Sequence, residues 1–167
     1  MTPTPAFLDP EPWSDFAVAT AGAAAALAGL LFVALSINIS AVVASSRTTD
    51  RAGSALVLLA SPVFLALALL VPWGSPTPLG VVLVVLAVLI GVGLAAMLPR
   101  PIPEVPRAAW LATTVLPPVV LAAGTLLAGI GVLVDGLGGL VWLAPAIGFA
   151  LLGGLVGAWV LLIEILR

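Results

Sequence analysis

The sequence predicts an all-α protein, an integral membrane bundle of five transmembrane helices. Three observations predict it. Of the 167 residues, 63% are hydrophobic and 7% charged. A soluble domain carries roughly 25% charged residues, so too few charges exist here to cover a water-facing surface. The apolar residues fall into five runs, each near the about 20 residues that cross a hydrocarbon core of about 30 Å. Every basic residue, Arg47, Arg51, Arg100, Arg107 and Arg167, lies in alternate gaps between runs or at the chain end. That charge asymmetry sets orientation, with the Arg loops and C-terminus inside and the N-terminus outside.

The elements follow in order. Residues 1–13 form a short acidic, Pro-rich tail with Asp9 and Glu11. It lacks the basic n-region of a signal peptide. Residues 14–167 form a single transmembrane domain. Its spans are expected at 16–45, 52–71, 79–98, 108–134 and 140–166. The first is long enough to tilt or to project from the bilayer. SSRTTDR is expected to link the first two spans, and PWGSPTP the next two. PRPIPEVPR, with four prolines, makes a stiff extended link. DGLGG turns the chain into the last span. Trp13, Trp73 and Trp142 fall at the outer boundary, and Trp110 and Trp159 toward the inner one, where an amphipathic indole settles.

Small residues mark helix faces that pack closely, because lipid supplies no hydrophobic drive between helices. Three helices carry such a face at alternating spacings of four and three, which keep one seam toward a partner. The first has Gly22, Ala26, Gly29, Val33, Ser36 and Ser40. The fourth has Pro117, Leu121, Gly124, Ala128, Gly131 and Asp135. The fifth has Ala146, Ala150, Gly153, Gly157, Val160 and Glu164. The seams are expected to hold the bundle together. One of them, on the fifth helix, is expected to make a homo-oligomer.

Polar and kinked positions are few. Asn38, in LSINIS, needs a hydrogen-bond partner in hydrocarbon. It is expected to bond a neighbouring helix, backbone or water or, with Ser36 and Ser40 as further polar candidates, to form a polar constriction in an oligomeric pore. Asp135 is expected at a solvated helix end and Glu164 at the inner boundary near Arg167. Pro62, Pro117 and Pro118 interrupt helix hydrogen bonding and are expected to kink their helices.

The residue inventory excludes most chemistry. His and Cys are absent, and all five basic residues are Arg. Ser–His, thiolate, Schiff-base and histidine–metal mechanisms therefore have no residues to use. No phosphate-cradling Gly loop and no basic patch for nucleic acid is present. No catalytic residue, cofactor, metal or nucleotide is expected.

Trp13, Asp15, Phe16, Gly29, Leu30, Leu31, Phe32, Val33, Ser36, Ile37 and Asn38 spell a Trp-x-Asp-Phe element followed by Gly-Leu-Leu-Phe-Val and Ser-Ile-Asn. With Arg51-Ala52 opening the second helix, the pattern resembles a family of small, largely actinobacterial multi-pass membrane proteins. Members are often labelled modulators of the FtsH membrane protease. The resemblance covers about a quarter of the chain and implies no catalytic residue. The composition, rich in Ala, Val, Leu, Gly and Pro, points to a bacterial cytoplasmic membrane. The expected function is non-enzymatic: regulation or scaffolding through helix–helix contacts, as a homo-oligomer or with a membrane-protein partner in the lipid bilayer. An oligomeric channel or transporter, and an accessory subunit of a larger complex, are the alternatives.

Overall fold

A computed structural model describes residues 11–99 and 106–165. Arg100, Arg167, most of the N-terminal tail and the side chain of Glu164 lie outside the described residues. Among the described residues the chain is helical throughout, with no strand. A short 3-10 turn, Glu11–Trp13, leads into α1, Ser14–Ile37. Next come α2, Ile39–Val43, and α3, Ser46–Leu70. They are followed by α4, Pro76–Ala96, and α5, Arg107–Trp110. A π-helical turn, Leu111–Val115, joins α5 to α6, Leu116–Leu133. A second 3-10 turn, Gly139–Trp142, leads into α7, Leu143–Ile165. Five helical stretches are long and apolar enough to cross a membrane, the make-up of a multi-pass membrane protein.

Two expected boundaries need correction. The first span does not run unbroken to residue 45, because α1 stops at Ile37 and Asn38 separates it from α2. The segment after it is not an open loop either. Arg47 and Arg51 lie in the first turns of α3, since Ser45 caps that helix. The Thr48 N–H donates to Ser45 Oγ at 3.2 Å, satisfying one of the orphan donors of a helix start. Ser45→Ala is expected to lower the unfolding free energy by about 1 kcal/mol and fray the first turn. Faster amide exchange at residues 47–49 would register it.

α3, α7, α6 and α4 pack in a closed ring, each against the next, and α1 is added outside α3. The most apolar stretch of α1 is only 17% buried, against 50% for that of α3. Opposite ends of the ring are identified by contacts. Gly53 near the start of α3 meets Met97 past the end of α4, and Gly80 near the start of α4 meets Leu133 at the end of α6.

Close approach needs glycine at a few points. A Cβ on Gly129 would lie 2.9 Å from the Val84 amide nitrogen and 3.0 Å from the Gly80 carbonyl oxygen. There α4 and α6 touch backbone to backbone. The turn after α6 reverses the chain through left-handed conformations at Asp135, Leu137, Gly138 and Gly139. It is tied down by Gly136 N–H donating to Gly131 O at 2.9 Å. Trp142 Nε1 donates to Leu137 O at 2.7 Å across the same turn. Trp73 Nε1 donates to Ala68 O at 2.8 Å in the turn before α4.

Candidate functional site

The three small-residue seams meet different fates. On α6, Pro117, Leu121, Gly124, Ala128 and Gly131 are all buried within the bundle, and Asp135 is exposed beyond it. On α7, Ala146, Ala150 and Gly153 are buried and Gly157 is half-buried. A Cβ on Gly153 would run into Pro117 of α6, and one on Gly157 would meet the Ala55 Cβ of α3 at 3.3 Å. The α7 seam, expected to make an oligomer, is therefore used up inside the chain, where α7 sits between α3 and α6.

The α1 seam is bare. Gly22, Ala26, Gly29, Val33 and Ser36 are all exposed, as is Ser40 on α2. A Cβ on Gly22 or Gly29 would meet no atom within 4 Å. The helix turns its other side, with Ala17, Thr20, Ala24 and Leu31, toward the bundle. Leu31 packs with Ala55 and Leu59 of α3.

Polar side chains along α1 bond locally. Ser36 Oγ donates to Phe32 O at 2.8 Å. Asn38 Nδ2 donates to Ala34 O at 2.9 Å, as its own backbone N–H does at 3.3 Å. The carboxamide N–H thus closes the end of α1 and does not cross to another helix. Asn38 sits where the helix breaks, with φ −108° and ψ 24°. A polar constriction built on Asn38 has less to work with than its sequence position suggests.

Pro62 and the proline pair behave differently. α3 stays one helix through the buried Pro62, and Ser61 Oγ donates to Val57 O at 2.6 Å. Ahead of Pro117 and Pro118 the helix widens into the π turn, where Leu116 N–H reaches Leu111 O. The cause is the lost donors. In an α-helix, Pro117 and Pro118 would have to donate to Thr113 O and Thr114 O, and proline has no N–H. Single π turns inside helices recur at functional sites.

The π turn forms one wall of a small cavity of about 50 Å³, whose lining mixes polar residues with Ala55, Leu58, Val156 and Val160. Thr113 and Thr114 line it from the turn, Arg51 and Ser54 from α3, Gly153 and Gly157 from α7, and Pro99 from the segment after α4. Thr113 Oγ1 donates to Ala109 O at 2.8 Å. Arg51 is engaged with a partner of its own. In the sequence, Arg51 reads as a topology signal and Ser54 as an ordinary helix residue. Their spacing of three, which puts them on one helix face, is the only sequence signal linking them. Nothing in the sequence joins that face to Thr113 and Thr114.

No protein-family model, curated protein or solved structure matches the chain. The two candidate sites, the bare α1 face and the cavity beside the π turn, therefore rest on their own chemistry.

Proposed function

We propose that the chain crosses the bacterial cytoplasmic membrane five times, with its N-terminus outside and its Arg-bearing end inside. It acts as a non-enzymatic interaction protein, and the α1 face packs against a second copy of the chain. The orientation rests on the arginines. Arg47 and Arg51 open α3 and Arg107 opens α5, while Asp135 follows α6 at the other end. Basic residues remain on the cytoplasmic side. The resemblance carried by Trp13 to Asn38 falls on the same helix.

One observation carries the interaction reading. Three helices bear small-residue seams of identical spacing; two are spent inside the bundle, and the one on α1 is open from Gly22 to Ser40. In a bilayer such a face gains by admitting another helix backbone closely, through dispersion contacts that lipid chains make less well.

The chain has no cysteine, so single-cysteine variants test this cleanly. In native membranes, Gly29→Cys is expected to form disulfide-linked dimers on mild oxidation. Val85→Cys, on the outward face of α4, is expected to remain monomeric. The reverse pattern would move the contact to another face, and no cross-linking at Gly22, Gly29 or Ser36 would end the self-association reading.

A further inference from the structure

We infer that the outward groove between α4 and α6 holds one acyl chain of an anionic phospholipid of the inner leaflet. The inference rests on the five-span orientation proposed above and not on the α1 contact.

The groove lies past the point where glycine holds the two helices together. α4 and α6 meet backbone to backbone at Gly129 and Val84. Further along α4, a Cβ on Gly91 would meet only a side chain, the Ala122 Cβ at 3.4 Å. Around this point the outward side of the pair is hollow. One hollow of about 340 Å³ lies between Val88 and Val92 of α4 and Ala123 and Leu126 of α6. A second, of about 150 Å³, lies between Ala95 and Leu98 on one side and Val115 and Val119 on the other. They share Gly91 and Ala122 and so form one groove.

The lining selects a hydrocarbon chain. None of the lining residues carries a polar side chain, so a polar ligand would lose its water bonds there for nothing. The floor is small at Gly91 and Ala122, while Val88, Val92 and Val119 are more than half exposed along the groove. A docking helix, about 10–12 Å across, would meet those valines before it reached the floor. An acyl chain is narrow enough to lie between them and gain dispersion contacts on three sides.

The length matches one leaflet. Ala87, near the middle of α4, and Leu98, just past its end, are eleven residues apart, about 16 Å at 1.5 Å per residue. Half of a hydrocarbon core of about 30 Å is about 15 Å. The groove thus runs from the bilayer midplane to the Arg-bearing end.

Charge beyond the mouth selects the headgroup. Arg107 is exposed and precedes the groove residue Val115 by eight positions. The π turn between them takes up one extra residue. The two are therefore placed as residues seven apart are in a regular α-helix, which share a face. Arg107 stands on the groove side, where its guanidinium, a fork suited to phosphate oxygens, meets the headgroup of a lipid whose chain fills the groove.

The test uses the full chain in nanodiscs of equal parts phosphatidylcholine and phosphatidylglycerol, with a photoreactive diazirine on an acyl chain of one lipid or the other. Peptide mapping after illumination is expected to place the label within residues 87–98 and 115–126, at several times the yield on the outward face of α1. Labelled phosphatidylglycerol is expected to exceed labelled phosphatidylcholine about fivefold, the effect of one basic residue near an anionic surface. Arg107→Gln is expected to erase that preference. Ala95→Leu with Ala123→Leu, both at exposed positions, fills the groove and is expected to bring its yield down to that of α1 without moving the unfolding midpoint. Even labelling of α1, α3 and the groove would reduce the lipid to the surrounding annulus and overturn the site. Equal labelling by the two lipids would overturn the anionic headgroup. Disulfide-linked dimers from Val92→Cys, with no lipid label in the groove, would give the groove to a second copy and overturn the inference. Orientation fails separately: reaction of Arg107→Cys with an impermeant maleimide outside intact cells would overturn the inner-leaflet source. Gly29 variants are expected to leave the groove label unchanged, so this inference and the α1 contact also fail separately.

Discussion

Gly129→Leu is expected to separate α4 from α6 and to abolish a monodisperse fold. The reason is the absence of anything soft to displace. A Cβ at this position already falls within 3.0 Å of the Val84 amide nitrogen and the Gly80 carbonyl oxygen. From the other side, a Cβ on Gly80 would fall 3.1 Å from Gly129 O. Two backbones must part to admit a side chain. Overpacking where side chains can shift costs about 1–3 kcal/mol, and here the backbones themselves must move, so the loss should meet or exceed that range. The midpoint of unfolding in sodium dodecyl sulfate and the elution profile report the outcome. Gly29→Leu is the matched control: its Cβ meets nothing within the chain, so the midpoint of the isolated protomer should not move. If both variants behaved alike, the contrast between inner and outer seams would be wrong.

Replacing both Pro117 and Pro118 by Ala is expected to turn the π turn into regular α-helix. The two new N–H groups can reach Thr113 O and Thr114 O, contributing about 1 kcal/mol each. The lost ring carbons offset this, since both prolines are buried and Pro117 packs against Gly153. The unfolding midpoint should therefore change little. The register should change a great deal. A π turn holds one extra residue, so its removal rotates α5 relative to α6 by about 100° and shifts it by about 1.5 Å. Arg107 and Trp110 would then face elsewhere. Amide exchange across residues 112–116 is expected to slow by an order of magnitude or more. A π turn that survived the double replacement would show that the prolines are not its cause.

The five helices are legible in the sequence because length and apolar content alone define them. Their ends are less so. The start of α3 was hidden by polar residues that read as a loop, although Ser45 with Thr48 three residues on is the signature of a cap. Asn38 is legible only in part. An amide in an apolar run needs a partner, but the sequence does not say that the partner is Ala34 O one turn back. The seams show the limit most clearly. Those of α1, α6 and α7 have the same spacing, and only the order of helices around the ring decides which one is left outside. The cavity was the least legible feature. It joins residues 51 and 54 with 113 and 114 and with 153 and 157, three stretches linked by tertiary packing and by no local pattern.

The place of α7 between α3 and α6 also sets an order in time. A chain grows from its N-terminus at about 5–20 residues per second. From the end of α3 at Leu70 to the end of α7 at Ile165, synthesis therefore takes on the order of 5 to 20 s. Until then, Leu59 of α3 and Pro117 of α6 lack the glycines of α7 that receive them. The half-made protein presents the small-residue face of α6 as well as that of α1, and among the described residues of the finished one the α6 face is covered. A translating ribosome stalled before α7 would thus release a product with more ways to mispair than the complete chain has to pair.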